Sequence, residues 1–145
     1  MRPIAAMLIA ICAVEGATAR ADATSSSQPK SADARKPYPV EVALLKDPRR
    51  GWTYRQFPTN APLYVSDTDQ NGRSNCNDGC ASRWVPLLAA EGSKALGAWR
   101  PIRRSDHRLQ WAYKGRPIYT LVHDSVDSPI GDGIENGWHL LAYFK

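Results

Sequence analysis

Two cysteines, Cys76 and Cys80, are the first residues in this chain whose type and spacing could do chemistry. As reduced thiolates they would suit a soft metal such as Cu(I), whereas in an oxidising compartment they would form a disulfide. No methionine lies near them, and the histidines are scattered at His107, His123 and His139. The pattern therefore favours a disulfide, which would close a small loop and contribute only about 2 kcal/mol. A copper or redox site is the alternative.

Oxygen-bearing side chains alternate just before the cysteines. Asp67, Asp69 and Asn71 stand at the first, third and fifth positions of a calcium-loop pattern, and Asp78 stands at the twelfth. Hard cations prefer such oxygens on a tight turn. However, Asp78 is shorter than the glutamate expected there, and Asp, Asn and Gly also favour an ordinary hydrogen-bonded turn. We predict no metal, and calcium at these four residues stays an alternative.

Motifs for catalysis are missing from the sequence. It has no G-x-S-x-G, no H-E-x-x-H and no glycine-rich phosphate loop, and C-x-x-C-H for covalent haem is also absent. Asp127, Asp132 and Glu135 are close in sequence, within a glycine-rich stretch. We therefore predict no catalytic residue, no enzymatic activity and no cofactor.

Cations and tryptophans interleave between Trp99 and Trp111. The cations are Arg100, Arg103, Arg104 and Arg108, with Arg116 nearby. Such a stretch could bind polyanions or stack on flat ligands. On alternating strands, however, the cations would occupy a solvent face and the aromatic rings the core. With a net charge of only +5, we favour the second interpretation and expect no nucleic-acid partner.

The start of the chain resembles an export signal. Arg2 precedes an apolar run over 4–14, and Ala19-Arg20-Ala21 suits a signal peptidase. Residues 1–21 are therefore predicted to be a signal peptide, and the run is too short to span a membrane. A lipid anchor at Cys12 is not expected, because Ile11 stands where a lipobox needs a small residue. The protein should be periplasmic or secreted, with no transmembrane helix in the mature chain.

The chain after the signal divides into two parts by composition. Residues 22–37 are small, polar and Pro-containing, which predicts a disordered linker. Residues 38–145 are long enough for one domain.

This domain carries an internal repeat. "WTYRQFPTNAPLYVSDTD" and "WAYKGRPIYTLVHD" each combine Trp-x-Tyr, Pro-[Leu/Ile]-Tyr and an aspartate five residues later. The motif residues are Tyr64, Asp69, Tyr119 and Asp124, and tryptophans accompany both copies at Trp52, Trp84, Trp111 and Trp138. Repeat 1 spans about 52–90 and repeat 2 about 99–142. Because each is too small to bury a core alone, we predict that they share one, with all four tryptophans in it.

Local patterns in the domain are mainly those of β-structure. Alternation of apolar and polar residues predicts a three-strand meander across residues 98–123. One short helix should follow the cysteine pair, capped by Asn77 or Asp78 and ended by Pro86. We therefore predict a small, mainly β domain of two pseudo-symmetric β repeats with one short helix.

The same stretches resemble a known family. "PLYVSDTDQNGRSNCNDGCASRWVPLLA" and "WRPIRRSDHRLQWAYKGRPIYTLVHD" are similar, over about residues 60–141, to the bacterial secreted-repeat and predicted-lipoprotein family with a Y-x-[FWY]-x-x-D motif. Ser66 and Leu121 depart from the aromatic that this family prefers at the third motif position. The resemblance implies a fold and an exported location, but no biochemical activity.

These observations predict an exported, non-enzymatic binding or interaction module of the cell envelope. Its partner would be an envelope protein or a small ligand, and the sequence specifies neither the partner nor the oligomeric state. The alternative is a periplasmic metal-linked or redox protein that uses Cys76 and Cys80, or the loop from Asp67 to Asp78.

Overall fold

A computed structural model describes residues 36–143 of the chain. The predicted signal peptide at 1–21, Cys12 and most of the predicted linker at 22–37 lie outside the described residues. Within the described part, the protein is mainly β with one short α-helix, as the sequence predicts. None of its helices is long and apolar enough to cross a membrane.

The strands and helices are short, and their bounds are as follows. The strands are β1 Val42–Asp47, β2 Gly51–Gln56, β3 Tyr64–Ser66, β4 Trp84–Pro86, β5 Leu88–Ala89, β6 Trp99–Arg103, β7 Leu109–Tyr113, β8 Arg116–Pro117, β9 Tyr119–Leu121 and β10 Trp138–Leu140. The helix α1 spans Asp78–Arg83, and a 3-10 helix spans Ile134–Asn136.

The described part of the chain contains two antiparallel hairpins. One joins β1 to β2, and the other joins β6 to β7, which also pairs with β5 and β8. The strands of the predicted meander are present, but its last strand leaves the hairpin. Only Arg116–Pro117 pairs with β7, whereas β9 pairs with β3 and β4 in another sheet. The meander prediction is therefore wrong at its third strand, because the tertiary pairing of Tyr119–Leu121 overrides the local pattern.

A central four-stranded sheet of order β10-β3-β9-β4 brings the two sequence repeats together. At its middle Tyr64 pairs with Tyr119. Two residues beyond each tyrosine, Ser66 pairs with Trp138 and Leu121 pairs with Trp84. The four motif residues therefore stand around a single junction between β3 and β9.

The helix departs from the prediction at both ends. It spans Asp78–Arg83, so that it begins between the two cysteines rather than after them, and its N-cap residue Asn77 makes no side-chain capping hydrogen bond. The predicted terminator Pro86 lies in strand β4, beyond the helix. The strand begins at once because Trp84 is only 1% exposed and its backbone pairs with β9, so burial of this tryptophan ends the helix before the proline is reached.

The predicted single core with all four tryptophans is wrong. Trp84 and Trp138 lie in one buried cluster, Trp111 lies in a second cluster, and Trp52 lies in neither. Trp84, Trp111 and Trp138 are at most 6% exposed, whereas Trp52 is 50% exposed. The reason lies in the register of the first hairpin. The N–H of Tyr54 donates to Leu141 O at 3.2 Å, just as that of Trp111 donates to Leu87 O at 2.8 Å. Tyr54 thus takes the core position that we assigned to Trp52, which falls two residues nearer the hairpin turn.

Candidate functional site

The motif residues form hydrogen bonds between the two repeats rather than within each. The hydroxyl of Tyr64 donates to Asp124 Oδ2 at 2.5 Å, and that of Tyr119 donates to Asp69 Oδ2 at 2.8 Å. Each tyrosine is fully buried. The tyrosine of one repeat is therefore held by the aspartate of the other.

The second carboxylate oxygen of each aspartate holds its own loop. Asp69 Oδ1 accepts the N–H of Asn75 at 2.7 Å, and Asp124 Oδ1 accepts the N–H of Ile130 at 2.9 Å. In both cases the donor is six residues after the aspartate. Each aspartate thus fixes the loop that leaves its strand and receives the tyrosine of the other repeat, which is a structural role.

Two tryptophans pack against the same junction between β3 and β9. The rings of Trp84 and Trp138 stack with centroids 3.7 Å apart and an interplanar angle of 4°. Tyr64 meets Trp84 edge-on at 5.3 Å, and Tyr119 meets Trp138 edge-on at 5.1 Å. Gly131 permits the packing, because a Cβ there would come within 2.7 Å of the Tyr64 ring. These matched contacts agree with pseudo-symmetry, which for the whole repeats stays a prediction.

Burial sets the ionisation of the motif residues. It raises the pKa of Tyr64 and of Tyr119 well above the ordinary value, and the neighbouring aspartates add to the shift. Burial also raises the pKa of Asp69, although the hydrogen bonds from Asn75 and Tyr119 act in the opposite direction. Both hydroxyls therefore stay protonated at neutral pH and serve as hydrogen-bond donors rather than as nucleophiles.

A buried arginine, which strand alternation predicted on a solvent face, extends this network. The side chain of Arg104 is only 1% exposed. Its guanidinium donates to Gln110 Oε1 at 2.6 Å, to Cys76 O at 2.7 Å and to Ser74 Oγ at 2.9 Å. Ser74 Oγ in turn lies 2.7 Å from the Tyr119 hydroxyl. The assignment of Arg104 to the solvent face is wrong, because backbone and side-chain acceptors from several segments converge on it.

The other cations of that stretch, Arg100, Arg103, Arg108 and Arg116, are exposed, while Trp99 and Trp111 are buried. This agrees with the favoured interpretation for all of them except Arg104.

A second buried arginine, Arg55, was not predicted from the sequence. It donates to Asp47 Oδ2 at 3.3 Å and to Val126 O at 3.0 Å. Its position one residue before the end of β2 gave no signal that would separate it from a surface cation.

Cys76 and Cys80 form a disulfide, as predicted, with their Cα atoms 5.2 Å apart. Cys76 is buried beside the motif tyrosines and Cys80 is partly buried. Cys76 precedes helix α1, and Cys80 lies within it. The carbonyl oxygen of Cys76 accepts a hydrogen bond from Arg104. With both sulfurs bonded to each other, no thiolate is present for copper.

The four calcium candidates do not converge. Asp67 turns to Arg116, 2.7 Å away, and to His139 Nε2, 2.6 Å away, and these partners lower its pKa. Asp69 turns inward to Tyr119. Asn71 packs against Gly115, and Asp78 lies in helix α1. No group of three or more His, Cys, Asp or Glu side chains that could hold a metal ion occurs among residues 36–143.

The acidic residues of the late loop are separated as well. Asp132 Oδ1 accepts the N–H of Leu140 at 3.0 Å, Glu135 pairs with Arg83, and Asp127 faces the cleft beside Arg55. These three carboxylates therefore take part in three different sets of contacts.

A family model described as a secreted repeat of unknown function matches residues 97–142. This stretch corresponds to repeat 2 and contains Tyr119, Asp124 and Trp138. The resemblance inferred from the sequence is confirmed there. No curated protein and no solved structure matches the chain. A secreted family agrees with an exported location, whereas the periplasm as the destination stays a prediction.

Proposed function

We propose that this chain, with its secreted-repeat segment, is an exported, non-catalytic interaction module that binds a protein of the cell envelope. The single observation that supports this proposal is the exposure of Trp52. It is 50% exposed, whereas each of the other four tryptophans is at most 6% exposed.

The absence of a catalytic role is supported by how the motif residues are used. Both tyrosine hydroxyls and all four aspartate oxygens of the motif have partners within the protein. Their geometry joins two segments of chain, and a substrate would have to break these hydrogen bonds to reach them. The repeated motif is thus used for architecture, which leaves recognition to the surface.

Trp52 has the properties of a contact residue. It lies on β2 beside the hairpin turn, and Lys46 of β1 stands directly opposite on the same face. Exposed tryptophans are enriched at protein interfaces, where the ring buries a large apolar area and the indole N–H finds an acceptor. An exposed tryptophan beside a cation fits an apolar patch with an acidic rim on the partner.

A native pull-down from the cell envelope tests the proposal, with elemental analysis of the same sample. We expect wild type to retain a discrete envelope protein that Trp52→Ser loses. Phe57→Ser is the matched control, because Phe57 is similarly exposed, at 57%, and lies just beyond the opposite end of β2. It should retain the partner.

Two results would contradict the proposal. One is stoichiometric copper or calcium in a sample without a protein partner, which would favour the metal-linked alternative. The other is equal retention by wild type and Trp52→Ser, which would exclude Trp52 as the contact.

A further inference from the structure

The outer edge of strand β1 is open. Residues Val42–Asp47 pair with β2 on one side only, and β1 is the edge of its sheet. The N–H of Tyr54 goes to Leu141 O, and the carbonyl of Trp52 accepts from the N–H of Tyr143, so both point away from β1. Since opposite residues of an antiparallel pair share this alternation, the backbone groups of Leu44 and Lys46 point outward, away from β2.

The corresponding edge in the second hairpin is blocked. The N–H of Val42 donates to Pro39 O at 3.0 Å, and the N–H of Trp99 donates to Leu96 O at 3.0 Å, so Val42 and Trp99 hold the same place in their hairpins. Two residues further on, β1 has Leu44 where β6 has Pro101. Proline has no N–H and is typical of edges that reject a further strand. Only β1 thus offers a donor at this place.

We propose that β1 pairs with β1 of a second copy of this chain, in an antiparallel arrangement around a twofold axis. This goes beyond the proposed function, since recognition of an envelope protein through Trp52 neither requires nor produces such a dimer. The outward N–H and C=O groups of Leu44 and Lys46 would bond to those of Lys46 and Leu44 in the second copy. Each copy of β1 would supply the donors and acceptors that the other copy needs, so no other molecule is required.

Three registers would pair the outward-facing residues Leu44 and Lys46 of one copy with those of the other. The charges of the neighbouring side chains favour the proposed register. A shift in one direction places Lys46 opposite Lys46, and a shift in the other places Glu41 opposite Asp47, and like charges directly opposite are unfavourable. The intermediate register sets Leu45 against Leu45, Lys46 against Leu44, and Glu41 towards Arg49 of the second copy. One carboxylate oxygen of Glu41 is buried without a hydrogen-bond partner among the described residues. The arginine would supply an opposite charge there.

The first experiment measures the mass of the purified mature chain over a concentration series by sedimentation equilibrium. Wild type should show a reversible monomer–dimer equilibrium. Leu44→Pro, which copies Pro101, removes one outward donor and should raise the dissociation constant at least about tenfold. Wild type that stays monomeric throughout, or a folded Leu44→Pro with unchanged dimerisation, overturns the proposal.

A second experiment keeps the test decisive if Leu44→Pro does not fold. Leu45→Cys places one thiol on the proposed twofold axis, in a non-hydrogen-bonded pair whose Cα separation of about 4.5 Å suits a disulfide. Leu88→Cys is the control, because Leu88 is also 40% exposed but lies on β5. We expect rapid oxidation to a covalent dimer for the first variant alone. Equal rates for the two variants, or no dimer from Leu45→Cys, overturn the proposed register and the pairing with it.

Discussion

Removal of the Tyr64 hydroxyl by Tyr64→Phe perturbs the junction between the repeats with least disturbance to its packing. The ring can keep its edge-on contact with Trp84, whose centroid is 5.3 Å away. What is lost is the hydrogen bond to Asp124 Oδ2 at 2.5 Å and the acceptor for the N–H of Gly131 at 3.2 Å. The change therefore isolates the polar part of the junction.

The magnitude follows from the kind of bond. A hydrogen bond to a charged group contributes about 1.5–3 kcal/mol, and a buried donor left without a partner adds to the loss. We expect Tyr64→Phe to lower the free energy of unfolding by about 2–3 kcal/mol. For a domain of this size that corresponds to a fall in melting temperature of roughly 8–24 °C.

The assay is chemical denaturation of two double-mutant cycles. Tyr64→Phe combined with Asp124→Ala should show a coupling energy of about 1–2 kcal/mol, since the two side chains bond across the repeats. Tyr64→Phe combined with Asp69→Ala is the matched control and should be additive within about 0.5 kcal/mol, because Asp69 instead receives Tyr119. Coupling in the same-repeat cycle, or none in the cross-repeat cycle, would refute the exchange of partners.

Three further predictions concern the tryptophan stack, the disulfide and the dependence on pH. Trp84→Ala and Trp138→Ala should each destabilise the fold by about 3–5 kcal/mol, measured by denaturation, because each removes one face of the stack; an unchanged melting temperature for either contradicts this. The double change of Cys76 and Cys80 to alanine should cost only about 2 kcal/mol and leave a folded domain, and non-reducing mass spectrometry should find wild type two hydrogens lighter than its reduced form. The raised pKa of Asp69 means that the folded protein binds this proton more tightly than the unfolded chain does. Its contribution to stability is therefore complete below the ordinary value of 3.8 and is lost as pH rises through the folded pKa. Asp69→Asn should accordingly gain stability relative to wild type between low and neutral pH, and a constant difference would argue against the shift.

The sequence was informative where a local pattern and its physical cause coincide. Two cysteines four residues apart, with no other cysteine after the predicted signal peptide, predicted the disulfide, and alternating apolar residues predicted the strands β6 and β7 of the second hairpin. The tryptophans after each motif tyrosine also marked the core, because large aromatic residues at a fixed distance from a strand are most often buried there.

The errors come from features that only tertiary contacts define. Trp52 and Trp111 correspond in the aligned repeat sequences, but they do not correspond in strand register. The backbone hydrogen bonds of Tyr54 and Trp111 show that these two residues hold equivalent positions. The burial of Arg104 depends on acceptors from distant segments, among them Cys76 O. Likewise, no sequence pattern showed that each motif tyrosine bonds to the aspartate of the other repeat, because the motif alone is equally compatible with pairing inside one copy.

Photo-crosslinking in the intact envelope tests the proposed interaction module most directly. A benzophenone amino acid is placed at position 52, and at position 100 as the exposed control on the second hairpin. We predict a discrete adduct with another envelope protein from position 52, with a mass that differs from that of a dimer of this chain, and none from position 100. Identical adducts from both positions, or no adduct from position 52, would contradict the proposal that this protein acts through the exposed face around Trp52.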